Sequence, residues 1–328
     1  ADWGVVVISD VSTGRILVLA DSGSTTPNPS KPQSVMGVQA PYEPGSVGKV
    51  LTMASALEKG TTTPTTAYSV PYSISPADAG GPISDYHEHG TEMMTTTGIL
   101  TQSSNVGTIE VGEQVGDRDR YDFMTKMGLN QVTGIELAGE SQGIMRDFDA
   151  IRGRDRYTMM FGQSYAITAI QQNQFIQAIG NRGVMIAPRI IDSTTDSKGR
   201  TEKTVSPQPK QVMSADRSKE LITMMESVVM DKQGTGQLAK VEGYRVAVKT
   251  GTADIKVNGA DAVVSNTAGL VPAESPRLAI SVVLYNPRVA GLSSDAAAPL
   301  WSEVTTEAVR NLGIPASTES AQLYPTTP

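Results

Sequence analysis

The amino-acid sequence predicts an α/β (α+β) fold in which both chain ends supply strands to one sheet and a mostly helical middle lies between them. Two observations carry this expectation. Short β-branched runs with turn signals occur over residues 3–20 and again over 244–285, and the clearest helical periodicities fall between them. A length of 328 residues with 39% hydrophobic content suffices for one large core, and strands at both ends favour one unit over two independent domains.

The elements follow in chain order. Residues 3–10 and 15–20, joined by Val11-Ser12-Thr13-Gly14, read as two antiparallel strands. Residues 21–42 are rich in Ser, Thr, Pro and Gly and read as loop. Apolar residues at near-helical spacing over 50–58 predict a helix that begins near Gly45 and stops at Gly60. Between about 61 and 189, Thr/Pro loops alternate with helical candidates. The clearest, 168–178, carries Ile170, Gln174 and Ile179 near one face and meets a stop signal at Gly183. Residues 191–212 read as a polar connector, and Ser214 as the cap of a helix through Leu221, Met225 and Val228 to Gly234. Strand-like runs at 244–249, 267–271 and 277–285 close the pattern. One domain is thus expected over 1–328: sheet from about 1–45 and 235–312, helices from about 46–234, and a poorly ordered tail over 315–328.

Composition narrows the function. Twenty-seven Lys and Arg against 34 Asp and Glu give a formal charge of −7 without a basic cluster, which argues against nucleic acid as a partner. The absence of cysteine removes disulfides, thiolate zinc sites, iron–sulfur clusters and cysteine nucleophiles together. The longest apolar runs, 4–8, 16–20 and 279–285, fall far short of the ~20 residues of a membrane helix, so the chain as given is expected to be soluble. Opening directly on a strand, it reads as a processed piece cut at a domain edge.

Three short motifs carry chemistry. In Glu43-Pro44-Gly45-Ser46-Val47-Gly48-Lys49, a serine and a lysine three apart at a helix start share one face, a nucleophile beside a base. A phosphate-cradling loop would need Gly at Glu43 and Ser or Thr at Val50, and a nucleophile elbow would need Gly at Pro44; neither is present. Gln102-Ser103-Ser104-Asn105-Val106-Gly107 offers a hydroxyl and an amide two apart. They cannot share a helical face, so a turn must interrupt any helix there. Val248-Lys249-Thr250-Gly251-Thr252-Ala253 ends a strand-like run. Ser-x-x-Lys alone is a weak signal; the ordered trio Ser-x-x-Lys, Ser-x-Asn, Lys-Thr-Gly is specific to penicillin-binding proteins and class A β-lactamases.

On these residues the chain resembles the transpeptidase domain of class B penicillin-binding proteins, most closely the septal kind. The resemblance runs over nearly the whole sequence and includes Thr95-Thr96-Thr97-Gly98, Gly162-Gln163, Gly183 with Pro188-Arg189, and Gly234-Thr235-Gly236. Ser164 and Val248 stand where the family usually has glycine. The resemblance implies a five-stranded, mainly antiparallel sheet between helices with a helical subdomain. It also implies D,D-transpeptidation of peptidoglycan stem peptides in septal wall synthesis, covalent inhibition by β-lactams, and divisome partners including a membrane glycan polymerase. The parent protein would carry a membrane anchor and a pedestal domain and work at the extracytoplasmic face of the bacterial membrane.

The residues themselves support acyl transfer. Only His87 and His89 are available, and no group is evident to orient either, so lysine is the better base. Lys49 must then be neutral, which burial and a second cation such as Lys249 both favour. Ser46 is the nucleophile, Ser103 relays a proton to the leaving amine, and Asn105 orients the substrate amide. Strand alternation puts Thr250 and Thr252 toward a ligand carboxylate and Lys249 inward, with Gly251 admitting the ligand backbone. Backbone N–H groups of Ser46 and Thr252 make the oxyanion hole. No cofactor or metal is called for. His87-Glu88-His89 lacks the spacing of a zinc motif and reads as a polar loop, the 14 methionines as core filler, and the charge runs 117–120 and 152–156 as solvated surface. The rivals are a β-lactamase or D,D-carboxypeptidase, with water as acceptor, and a β-lactam sensor domain. No Glu-x-x-Leu-Asn segment lies between the second and third motifs, Glu136 and Glu140 being the nearest candidates.

Overall fold

Five strands form the central sheet: β1 (Trp3–Asp10), β2 (Ile16–Asp21), β3 (Ala247–Val257), β4 (Ala260–Val271) and β5 (Leu278–Tyr285). The computed structural model describes residues 1–22, 35–205, 208–288 and 295–328. The strand order is β3-β4-β5-β1-β2, with every pairing antiparallel. The two chain ends therefore meet in mid-sheet, where β1 pairs with β5 from Trp3 opposite Tyr285 to Asp10 opposite Leu278.

Among the described residues the longer helices are α1 (Lys49–Lys59), α2 (Thr96–Gln102), α3 (Asn105–Glu113), α4 (Asp117–Lys126), α5 (Ala169–Gly180), α6 (Ala215–Met230) and α7 (Ala297–Asn311). Alternation along the strands assigns the faces. Val5, Val7, Val264 and Val283 pack with Ile170 of α5, whereas Ile8, Val248, Ile280 and Val282 pack with Trp301 of α7. Polar ties fix α5 to its face. Asn173 Nδ2 donates to the Ala279 carbonyl at 2.9 Å and its Oδ1 accepts from Ser9 at 2.6 Å. On the opposite face Trp301 is fully buried, and its indole donates to the Ile280 carbonyl at 3.0 Å.

Several local expectations hold. α1 ends at Gly60, which takes the left-handed conformation (φ 75°) that satisfies the last carbonyls. α5 begins after Thr168 with a capping box to Gln171, the Thr-x-x-Gln spacing of that motif. Other expectations are corrected. The helix near Gly45 opens as a 3₁₀ turn, Gly45–Gly48, and becomes α-helical at Lys49. Ser214 precedes α6, but its N–H and hydroxyl both donate to Glu58, 156 residues away, so it ties two helices together instead of capping one; α6 stops at Met230. Strands β3 and β4 extend well past the expected runs because Asn258-Gly259, both at positive φ, close a tight hairpin that keeps polar residues paired beyond the core. The 191–212 connector carries a small hairpin, Ser193–Thr195 with Thr201–Lys203. Within the expected 21–42 loop, Asp21 closes β2 and Met36–Gln39 form one helical turn, while 23–34 lie outside the described residues.

The tail is corrected as well. Residues 315–328 run along the surface of the fold in extended backbone, held by Ser317 N–H to the Gly243 carbonyl, Thr95 N–H to the Thr326 carbonyl and Thr95 Oγ1 to the Pro325 carbonyl. Tyr324 packs against the core, and the Pro325 and Thr326 carbonyls accept from Thr95 at a strand end.

Trp301→Ala removes the largest side chain beneath the sheet and is expected to destabilise the fold by about 3–5 kcal/mol, read as a lowered urea midpoint.

Candidate active site

The Ser46 turn is held by close backbone approaches. Gly45 N–H donates to the Gly162 carbonyl at 2.9 Å, and the Pro44 carbonyl accepts from Asn266 Nδ2 at 3.0 Å. A side chain at Gly45 (φ 51°) would put its Cβ 2.1 Å from the Thr252 carbonyl oxygen, and one at Gly162 (φ 91°) would put it 1.7 Å from that of Gly45. At Gly251 the atom met at 2.4 Å is the Pro44 carbonyl. Its missing side chain therefore lets the Ser46 turn approach β3.

Glu43 anchors the turn from the other side by accepting the Ser164 N–H at 2.9 Å. Burial pushes the Glu43 carboxyl up; the Ser164 N–H opposes this and the nearby Asp155 charge adds to it. Ser164 occupies the left-handed region (φ 61°) where the resembled family has glycine. Its hydroxyl compensates by donating to Asp155 at 2.9 Å and meeting Thr158 Oγ1 at 2.8 Å. Val248 fits for a different reason: it points away from the site into the Trp301 cluster.

Three motif side chains converge. Lys49 and Lys249 are both 0% exposed, and their ammonium nitrogens lie 3.1 and 3.0 Å from the same Ser103 hydroxyl. Lys49 also donates to the Ser103 carbonyl, and Lys249 to that of Thr250 at 2.9 Å. Burial lowers Lys49 to about 7, against the opposing charge of Asp85. Lys249 is pulled well below the usual lysine range by burial and then by Lys49. Ser46, half-buried, stands one turn before Lys49, whose N–H bonds back to the Ser46 carbonyl.

The expected break between Ser103 and Asn105 is present: Ser103 (φ 61°) ends α2, Ser104 caps α3, and Asn105 is the first residue of α3. Asn105 Nδ2 donates to the Ser84 carbonyl at 3.0 Å, so its amide holds the neighbouring loop. Thr250 meets Thr235 Oγ1 at 3.2 Å, which draws Gly234-Thr235-Gly236 to the same strand.

A family model described as penicillin binding protein transpeptidase domain matches residues 4–306. The chain belongs to that family. It is 34% identical to penicillin-binding protein PbpB of Mycolicibacterium smegmatis over 95% of this chain and 50% of that protein. Identity to the probable peptidoglycan D,D-transpeptidase PenA of Neisseria gonorrhoeae is 30%, over 96% and 53%. Penicillin binding protein 3 of Mycobacterium tuberculosis, solved in complex with aztreonam, superposes with a TM-score of 0.89 at 33% identity, covering 99% of this chain and 76% of that one. The chain spans about half the length of the curated relatives it matches.

Sequence reasoning missed Asp85, Asn266 and Glu43, whose partners lie about 20 to more than 200 residues away. No spacing rule links such positions, although Glu43 stood inside a quoted motif. Of the His87-Glu88-His89 run, His89 pairs with Asp85 at 3.0 Å. Among the described residues no group of three His, Asp or Glu is placed to hold a metal ion, and no helix is long and apolar enough to cross a membrane.

Gly45→Ala is expected to cost at least about 2 kcal/mol, because both its φ and the Thr252 carbonyl reject a Cβ. A thermal melt unchanged by the substitution would contradict this packing.

Proposed function

We propose that this domain is a serine D,D-transpeptidase that cross-links peptidoglycan stem peptides and is acylated by β-lactams at Ser46. The observation that carries the reading is the buried Lys49, lowered to about 7 and one turn beyond Ser46, sharing the Ser103 hydroxyl with Lys249. A lysine near neutrality can accept the Ser46 proton as Oγ attacks the carbonyl of the penultimate D-Ala. The peptide bond to the last D-Ala then breaks. Its nitrogen takes the proton back from Lys49 through Ser103, whose hydroxyl both lysines contact. An amine of a second stem attacks the ester, delivers a proton along the same path, and restores the Ser46 hydroxyl.

The Thr252 carbonyl faces Gly45, and in an antiparallel strand a residue's N–H and carbonyl point the same way. The Thr252 N–H is therefore directed to the side of β3 where the Ser46 turn lies, which supports these two N–H groups as the oxyanion hole. As an edge strand, β3 suits a substrate peptide that adds alongside it, its carboxylate against Thr250 and Thr252, and Asn105 orienting the amide.

Resemblance to septal class B penicillin-binding proteins is what supports a place in septal wall synthesis, at the extracytoplasmic face of an anchored parent protein, with divisome proteins and a membrane glycan polymerase as partners. The hydrolase reading needs a base for water. Glu140 is engaged by Thr133 and the Gly134 N–H, and Glu136 by the Ile190 N–H, so neither is bonded to a site residue.

Intact mass with penicillin should show one adduct, on Ser46, lasting hours and absent from Ser46→Ala; an adduct persisting in that variant would overturn the nucleophile. Rapid loss of the adduct with accumulating hydrolysed drug would favour a β-lactamase. D-Ala release from a stem-peptide thioester should form a cross-linked amide when an acceptor amine is supplied; a water product alone would indicate a carboxypeptidase, and no turnover a sensor. Because protonated Lys49 cannot accept a proton, acylation should fall on the acid side through about pH 7. Lys49→Ala should slow it about 100-fold or more.

A further inference from the structure

We infer that Asp85, with His89 behind it, is a positioning residue of this site, holding the 103–105 turn and setting the electrostatic level at which Lys49 works. The inference rests on the reading of Lys49 as the base.

Asp85 follows the short strand Ile83–Ser84 and is buried. Its Oδ1 accepts the N–H groups of Asn105 at 2.5 Å and Val106 at 2.9 Å; its Oδ2 accepts the Ser104 hydroxyl at 2.7 Å and lies 3.0 Å from His89 Nε2. One carboxylate thus takes two free N–H groups at the start of α3 and the hydroxyl that caps it. The residue just before this anchored point is Ser103, in the left-handed conformation, whose hydroxyl both lysines use. Were Asp85 lost, nothing else described would pin Ser104 and Asn105 from the loop side except the Asn105 bond to Ser84.

Charge adds a second role that a neutral cap would not have. The groups facing Lys49 are Asp85, which favours its ammonium form, and Lys249 of β3, which is itself lowered by Lys49. Facing Asp85 are His89 and, from α3, Glu110, whose carboxyl is pushed up by burial and by the Asp85 and Glu113 charges. Around His89 stand Asp85, Glu92, the Gly90 carbonyl and the edge-on ring of Tyr72. Burial pulls the imidazole down, but Asp85, Gly90 and Glu92 outweigh it and the net direction is up. Protonated His89 offsets the Asp85 charge that Lys49 feels.

The test is acylation by a fluorescent penicillin across pH. Asp85→Asn keeps an acceptor and removes the charge, so the acid limb should move to lower pH by about one unit. His89→Gln removes the titrating cation, so the limb should move the other way, by a smaller amount. Asp85→Ala, which also loses the acceptors, should be about tenfold slower than Asp85→Asn at the optimum. Limbs that stay in place in both folded variants, or move in the same direction, would overturn the inference. If Asp85→Asn does not fold, the direction of the His89→Gln shift decides alone. Lys49→Ala separates the two levels: undiminished acylation there removes the base reading itself, whereas lost acylation with unmoved limbs removes only the role of Asp85.

Discussion

Burying two lysine ammonium groups against one serine hydroxyl is the constraint on which the rest of the site depends. Isolated cations in a protein interior carry a desolvation penalty of several kcal/mol each, and their mutual repulsion adds to it. The structure meets that penalty with acceptors: the Ser103 hydroxyl, its carbonyl and the Thr250 carbonyl, together with the carboxylate of Asp85 nearby. What remains of the penalty becomes reactivity, because a lysine that is costly to charge gives up its proton near neutral pH. The same burial forces α1, the α2–α3 break and β3 to meet within hydrogen-bond distance.

That meeting is arranged by backbone more than by side chains. Pro44, Gly45, Gly162, Gly251 and Thr252 approach so closely that a single Cβ at any of the three glycines would collide with a carbonyl oxygen. Ser46 is therefore held by atoms that substitution at the surface does not alter. Ser164 shows how narrowly the rule can be relaxed: a side chain enters a position of positive φ where its hydroxyl finds two polar partners at once.

Much of this was legible in the sequence where the information is local. Ser46 and Lys49 lie within one turn, Lys249 and Thr250 alternate on one strand, and the spacing of Ser103 and Asn105 demanded a break that φ 61° at Ser103 supplies. That both chain ends share one sheet followed from β-branched runs there, whereas its five-stranded antiparallel form was implied only by the family resemblance. Illegible were the features whose partners are remote. Ser214 has the composition of a cap but serves Glu58; the 315–328 tail looks unpartnered until Thr95 is beside it; Asp85 is an ordinary loop aspartate until α3 ends against it. Asn258-Gly259 was a local signal passed over, and the two longest strands were shortened accordingly.

The pairing of β1 with β5 also governs when the protein comes into being. β1 must wait for Leu278–Tyr285 before its edge facing β5 is satisfied, and β3, which carries Lys249, precedes that strand by only a short stretch. Such long loops are slow to close, and the exposed edge of a lone β1–β2 hairpin is prone to pairing with other chains meanwhile. The pairing of Lys49 and Lys249 on Ser103 likewise cannot assemble until β3 has been made.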